Sequence, residues 1–318
     1  MEKKKIYGAT LKEQLLASTR DRLYNFIMAG DSIRGVAVNG TRMVNEMRWN
    51  HELGVLETLV LGHAYLGAAL LSSGLKGNDR LSIGVECSGP IKGLNVESNA
   101  FGEVRGYLKQ VPIPVDKPLQ SFDLSPFFGA GFLSVTRFLE DAKHPFVGTV
   151  MMEYGSLAKD LALYHLKSEQ VPSSLSLSVV FDQDGEVQGA GGLLLQALPG
   201  ADDKVLSKLE HLVRELPSIG NVVLGSDFPD EWLQRIFDGF APRLLDHRGV
   251  EFMCHCSRAQ IRTMLSMLDP AELDDMARNG PFPIEIRCHN CNTCYGFEQT
   301  DMQAIYAERN NPGGRSQR

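Results

Sequence analysis

Five of the six cysteines in this 318-residue chain fall between Cys254 and Cys294. Cys254-His255-Cys256 is a C-x-C pair, Cys288-His289-Asn290-Cys291 is a C-x-x-C pair, and Cys294 repeats the second spacing. Pairs of cysteines on short turns suit a soft metal ion, because zinc takes four thiolates at tetrahedral corners. In an extended C-x-C segment the outer side chains point the same way and the middle one points away. That favours Cys254 and Cys256 as ligands and turns His255 outward. Cys288/Cys291 and Cys291/Cys294 both satisfy the second spacing, so that half of the site has two registers. A site made wholly of thiolates has no open position and reads as structural, not hydrolytic. Its ligands are also oxidisable: peroxide or hypochlorous acid carries thiolates through sulfenic acid to disulfides, which cannot hold the metal. Metal binding contributes on the order of 10–16 kcal/mol in small zinc modules, so oxidation there amounts to local unfolding.

The elements around these cysteines are readable from periodicity. Between the two pairs lie 31 residues, enough for helices at Gln260–Leu268 and Pro270–Arg278, with Asp269 as N-cap and Pro270 at the first helical position. Upstream, Val205, Leu206, Leu209, Leu212, Val213 and Leu216 recur at helical spacing until Pro217 stops them. A second helix starting near Pro229 displays Trp232, Leu233, Ile236, Phe237 and Phe240. This apolar pair of helices is too short for a core of its own and must lean on something.

Pro199-Gly200 separates that segment from a mixed α and β region. There, Leu53–Leu75 reads as a helix, and Leu81–Val85 and Glu103–Leu108 as strands around a Ser88-Gly89-Pro90 turn. Leu119–Gly131 reads as an irregular loop. Ser156 suits the N-cap of a helix from Leu157 to about Ser168, with Leu157, Leu161 and Tyr164 on one face. Leu175–Phe181 and Ala190–Leu198 read as strands around the Asp182–Gly185 turn. The fold class is α+β, in three parts: residues 1–200 an α/β core, 201–250 a helical linker, and 251–318 a zinc-binding segment ending in a disordered tail, Asn310–Arg318.

Composition narrows the function. Hydrophobic residues at 43% and charged residues at 22% describe a globular protein. A net charge of −7, with 7 Lys+Arg against 9 Asp+Glu in residues 251–318, argues against a zinc-ribbon adaptor for nucleic acid. Three lysines near Met1 precede no apolar run, so no secretory signal is expected. The apolar stretch Leu53–Leu71 contains Glu57 and His63 and reads as a core helix rather than a membrane span. A cytoplasmic protein without a membrane partner follows, and in that reducing compartment clustered cysteines bind metal or sense redox state. Gly189-Ala190-Gly191-Gly192 lacks a phosphate-cradling pattern and reads as a tight turn into a strand. His63 and His165 are lone histidines of core or surface, and Cys87 is a small buried residue. No catalytic constellation is identifiable, so the chain is not expected to be an enzyme.

Several stretches resemble the heat shock protein 33 family, the 33 kDa chaperonins. Phe252–Arg258 and Ile286–Cys291, followed by Tyr295 and Phe297, look like that family's C-x-C and C-x-x-C segments. Tyr164–Pro172, Ala190–Gln196 with Pro199, and Gly131–Thr136 resemble stretches of its core. The resemblance implies Cys254, Cys256, Cys288 and Cys291 as ligands of one Zn(2+) per chain, with Cys294 not required. It also implies a redox-regulated, ATP-independent holdase that is inactive when reduced and zinc-bound. Oxidation would form the disulfides Cys254–Cys256 and Cys288–Cys291, release zinc and unfold the linker. The oxidised form, commonly a homodimer, would then bind unfolded or partly folded client proteins.

Overall fold

The computed structural model describes Met1 and residues 21–115, 123–225 and 228–310. Beyond its first residue the tail expected to be disordered lies outside them, as do the segment after Met1 and residues 119–122 of the expected loop. The described residues form two compact units, divided in the chain between Met253 and Cys254. The fold is α+β.

The first unit runs through β1 (Arg22–Met28), β2 (Ile33–Asn39), α1 (Thr41–His51), α2 (Val55–Leu71), β3 (Arg80–Cys87), β4 (Gly93–Asn99) and β5 (Glu103–Leu108). It continues with α3 (Ser125–Phe128), β6 (Gly131–Phe138), β7 (Phe146–Met151), α4 (Leu157–Lys167), β8 (Ser173–Phe181) and β9 (Val187–Ala197). Then come α5 (Asp203–Arg214), α6 (Ile219–Val222), α7 (Asp230–Ile236), β10 (Arg243–Gly249) and β11 (Glu251–Phe252). One sheet has the strand order β10-β1-β2-β9-β8 and the other β11-β5-β4-β3-β6-β7. All neighbours are antiparallel except the short β11–β5 pair.

Helix α2 explains why its sequence is apolar on every side: it packs against β2, β8 and β9 of one sheet and β3, β4 and β5 of the other. By length and hydropathy Val55–Gly74 could cross a bilayer, but it is mostly buried inside the protein. Two of its buried polar side chains are answered. The Tyr65 hydroxyl donates to the Gly106 carbonyl at 3.0 Å, and the Glu57 carboxylate accepts from the Ile113 N–H at 2.8 Å.

The segment after Pro199 leans on the first sheet. Leu209, Ile219, Val223, Trp232, Leu233 and Phe237 are buried together with Phe26, Met28, Ile33, Leu193 and Leu195, each contributing about 1.5–3 kcal/mol of apolar burial. Asp202 caps α5 by accepting from the Lys204 N–H at 2.7 Å. Two features of this seat lack a counterpart in the sequence reading. Strand β10 extends the sheet by pairing with β1 along Arg22–Ile27, and Arg248 reaches from it to the Ala100 carbonyl at 2.7 Å and the Ser72 hydroxyl at 2.9 Å. The indole N–H of buried Trp232 finds no partner among the described residues, a cost of about 1–3 kcal/mol.

Three expectations need correction. Gly189, Gly191 and Gly192 are not a turn but lie inside β9. Their missing side chains admit α6: a Cβ on Gly189 would come within 2.1 Å of the Gly220 carbonyl oxygen, and one on Gly191 within 2.8 Å of Ile219. Ser156 occupies the N-cap of α4 but makes no side-chain cap. Instead the fully buried Asp160 pins the loop before the helix, accepting from the N–H groups of Glu153, Tyr154 and Ser156 at 2.9, 3.1 and 3.0 Å. Within the expected loop, Ser125–Phe128 closes one helical turn behind Pro126.

The second unit has α8 (Arg258–Ser266), α9 (Pro270–Asn279), β12 (Ile284–Arg287), β13 (Cys294–Phe297) and α10 (Gln299–Asn310). Asp269 caps α9 as its position suggests, accepting from the Ala271 N–H at 2.8 Å. The core is small: Leu265, Leu273, Ala277, Phe297, Met302 and Ile305 are its buried side chains.

Gly189→Ala tests the close approach of α6. The added methyl should destabilise the protein by about 1–3 kcal/mol through overpacking and speed amide exchange in α5–α7 ahead of β3–β6. Unchanged exchange in those helices would show that the glycine is not what seats them.

Candidate metal centre

Each cysteine pair is shaped by its own backbone. The C-x-x-C pair sits in the turn joining β12 to β13. The Cys288 carbonyl accepts from the N–H groups of Cys291 and Asn292 at 3.3 and 2.7 Å, and the Cys288 N–H donates to the Thr293 carbonyl at 3.0 Å. Asn292 takes a left-handed conformation, φ +55°, which asparagine tolerates better than most residues. This tight turn folds both sulfurs to one side. The C-x-C pair precedes α8, whose N-cap Ser257 accepts from the Gln260 N–H at 3.3 Å.

The sulfurs of Cys254, Cys256, Cys288 and Cys291 all lie within 4.8 Å of one another. Cys254 and Cys288 are 3.8 Å apart, and Cys256 and Cys291 3.3 Å. Four thiolates around zinc at bond lengths of about 2.3 Å would stand about 3.8 Å apart. The donor set, its number and its spacing therefore fit a tetrahedral metal. Cys254 and Cys291 are buried, Cys256 and Cys288 are partly exposed, and Cys294 is exposed at the start of β13, opposite Arg287. Of the two registers left open by spacing, the one whose sulfurs converge is Cys288/Cys291. His255 is exposed.

Crowding splits the acidities of these thiols. Hydrogen bonds from Cys288 and then Cys291 pull Cys254 far below the ordinary thiol range. The bond to Cys254 pushes Cys288 up to about 11 and drives Cys291 higher still. A divalent cation among four sulfurs this close would hold all four as thiolates.

Two residues beside the sulfurs had no role in the sequence reading. The Tyr295 hydroxyl is 3.2 Å from the Cys256 sulfur and donates to the Cys256 carbonyl at 3.0 Å. The Cys291 sulfur lies 3.2 Å from the Thr293 hydroxyl. Tyr295 was visible as an aromatic near the pair, but its reach depends on the hairpin register that sets it opposite Ile286.

The other candidates lie elsewhere. Cys87 ends β3 and is half-buried rather than buried; burial raises its thiol. His165 is buried on α4 with Nδ1 3.5 Å from the Gln196 amide. Burial lowers it to about 4, with Glu169 opposing and Arg137 and Arg34 adding to the effect. His63 on α2 is lowered by burial to about 4 as well.

Known proteins match most of the chain. The profile of a family described as "Hsp33 protein" matches residues 21–298. A protein of Desulforamulus reducens named 33 kDa chaperonin is 35% identical over 287 residues, covering 90% of this chain and 97% of its own. One of the same name from Lachnoclostridium phytofermentans is 33% identical over 293 residues, covering 91% and 99%. Among solved structures, the 33 kDa chaperonin (heat shock protein 33 homologue) of Thermotoga maritima superposes with a TM-score of 0.83. It is 32% identical and covers 92% of this chain and all of its own.

Replacing Cys288 with serine should leave well under one bound metal per chain after chelator dialysis. Cys294→Ser should retain a full complement; metal loss there would move the site to the other register. A second measurement concerns His165, whose folded value of about 4 lies below the usual 6.5. Its contribution is complete above pH 6.5 and is lost as pH falls toward 4, about 2 kcal/mol by pH 5. Melting curves at pH 7 and 5 should show that loss, reduced in His165→Asn; an equal acid sensitivity in both would assign it elsewhere.

Proposed function

The chain belongs to the Hsp33 family, and from that premise we propose that it is a redox-regulated, ATP-independent holdase that captures unfolding proteins under oxidative stress. The observation that carries this reading is the convergence of four sulfurs, from segments 31 residues apart in sequence, to within 4.8 Å. On this reading Cys254, Cys256, Cys288 and Cys291 hold one zinc ion in the reduced, inactive protein. When bound, zinc supplies a redox-inert double positive charge that holds four thiolates and joins the two halves of the unit.

Oxidation acts on the sulfurs. A thiolate attacks one peroxide oxygen, the O–O bond breaks with loss of hydroxide, and a sulfenic acid forms. The neighbouring thiol then attacks that sulfur, an S–S bond forms and water leaves. Two electrons pass from two sulfurs to one peroxide. We assign the bridges as Cys254–Cys256 and Cys288–Cys291, following the family resemblance. Bridges within each motif leave its two halves unlinked, whereas bridges between motifs would staple them together.

The client surface is proposed to be the apolar face that the linker, residues 201–250, covers on the first sheet. Phe26, Met28, Ile33, Leu193 and Leu195 belong to that covered cluster. The unpaired Trp232 indole is consistent with a seat that is held but not optimised. Clients would be unfolded or partly folded proteins, and the oxidised form a homodimer in the cytoplasm. The relatives are named chaperonins rather than enzymes, which fits a binding role.

Peroxide treatment should release one zinc per chain with loss of four thiols, and the product should suppress light scattering by a denaturing client. In a Trp49→Phe background, Trp232 emission should shift to the red as its site opens. Peptide mapping without reductant separates bridges within motifs from bridges between them. An oxidised, zinc-free protein no better than the reduced one at preventing aggregation would end the holdase reading.

A further inference from the structure

The contacts around Cys256 differ from those around the other partly exposed cysteine. The Cys288 sulfur meets Cys254, and its carbonyl is held inside its own turn. The Cys256 sulfur likewise meets Cys291, but Cys256 is also reached from outside its own segment: its carbonyl accepts from the Met1 amino group at 2.7 Å and from a hydroxyl 39 residues further along the chain, which lies beside its sulfur as well. That hydroxyl stands between two acceptors of one residue, the carbonyl at 3.0 Å and the sulfur at 3.2 Å.

We infer that Tyr295 is a positioning residue of the metal centre: a tether, independent of the metal, that holds the C-x-C half against the C-x-x-C half and keeps the Cys256 sulfur aimed at the site. The inference rests on the proposal that the four cysteines hold zinc.

The argument is geometric. Tyr295 lies on β13, paired with Ile286 of β12, so its backbone is fixed by the hairpin that carries Cys288 and Cys291. Its ring packs against the small core of the unit, so few conformations remain to its hydroxyl. The hydroxyl crosses to Cys256, on the segment before α8. Arg258 also spans these halves, reaching the Gly296 carbonyl at 3.0 Å and Asp301 at 2.7 Å, but it touches no sulfur of the four. Tyr295 bridges the halves at a sulfur. Partners that hydrogen-bond to metal ligands orient them and commonly change metal affinity by about 10–100-fold when removed. The hydroxyl has one proton and two acceptors within reach, at 3.0 and 3.2 Å, and where it donates to the sulfur it withdraws charge from the ligand.

The test uses the full-length protein, with zinc and cobalt as probes. Tyr295→Phe keeps the ring and removes the hydroxyl. It should weaken zinc binding about tenfold against a competing chelator and speed zinc release under peroxide. The sulfur-to-metal charge-transfer band of the cobalt-loaded protein should move to lower energy, which a loss of packing alone would not produce. Tyr306→Phe, in the same small core, should change none of the three. If Tyr295→Phe fails to fold, fluorotyrosine at position 295 offers a stronger donor of nearly the same size and should shift the band the opposite way. A wild-type protein that binds no zinc would remove the metal reading and this inference with it. Zinc binding by the wild type, with affinity, release and band unchanged on loss of the hydroxyl, would overturn this inference alone. An equal effect from Tyr306→Phe would overturn it too, because packing would then be the cause.

Discussion

Sulfur crowding is the constraint on which the C-terminal unit depends. Four thiols within 4.8 Å cannot all ionise unaided, since like charges at that distance repel strongly in a partly desolvated site. Hydrogen bonds among them split their acidities, with Cys254 pulled down by Cys288 and Cys291 and those two pushed up by their bonds to Cys254. A core of six buried side chains contributes too little to hold such an arrangement by packing alone. The four sulfurs are compatible with a metal ion among them; on the proposed reading the strength of the unit lies in metal–thiolate bonds rather than in apolar burial, and the groups that hold it are the groups that oxidants attack.

The first unit depends on a different balance. Its central helix α2 is enclosed by both sheets. The segment after Pro199 is another matter. Its helices are seated by side-chain contact across a face where β9 carries glycines in place of side chains. Close approach gains dispersion contacts, yet the Trp232 N–H is left without a partner among the described residues. This combination of large apolar contact and incomplete polar satisfaction gives a seat that is occupied but loosely specified.

The parts of the fold legible in sequence were those where one period dominates. Helices α2 and α5 and strands β5, β8 and β9 declare themselves through apolar spacing, and the cysteine pairs through spacing of another kind. Strand β10 did not, because Arg243-Leu-Leu-Asp-His-Arg-Gly has no apolar alternation. It is an edge strand with mostly exposed side chains, held by backbone pairing that leaves no mark on composition, and charge suits an open edge. The glycines of β9 were misread for the converse reason. Glycine signals a turn when only the local chain is considered, whereas here it answers to a helix some 30 residues away. Tyr295 was hidden similarly, since its contact with Cys256 requires both the hairpin register and the turn at Asn292. In each case the missing information was a partner distant in sequence.

The chain between Pro199 and Cys254 is therefore held in two unequal ways. Helices α5–α7 are held by apolar contact, which weakens gradually as contacts are lost. Strand β10 is held by a ladder of backbone hydrogen bonds to β1 and by the Arg248 contacts to Ala100 and Ser72, which resist until the strand unzips. Phe252, fully buried two residues before Cys254, adds a further anchor. A disturbance beginning at the cysteines must pass β11 and β10 before it reaches α7 along the chain. The helices, in contrast, leave the sheet without breaking any strand pairing. On the proposed reading, the apolar face could then open while β10 remains in its sheet. The order of release would be set by the kind of interaction, not by distance along the sequence from the metal.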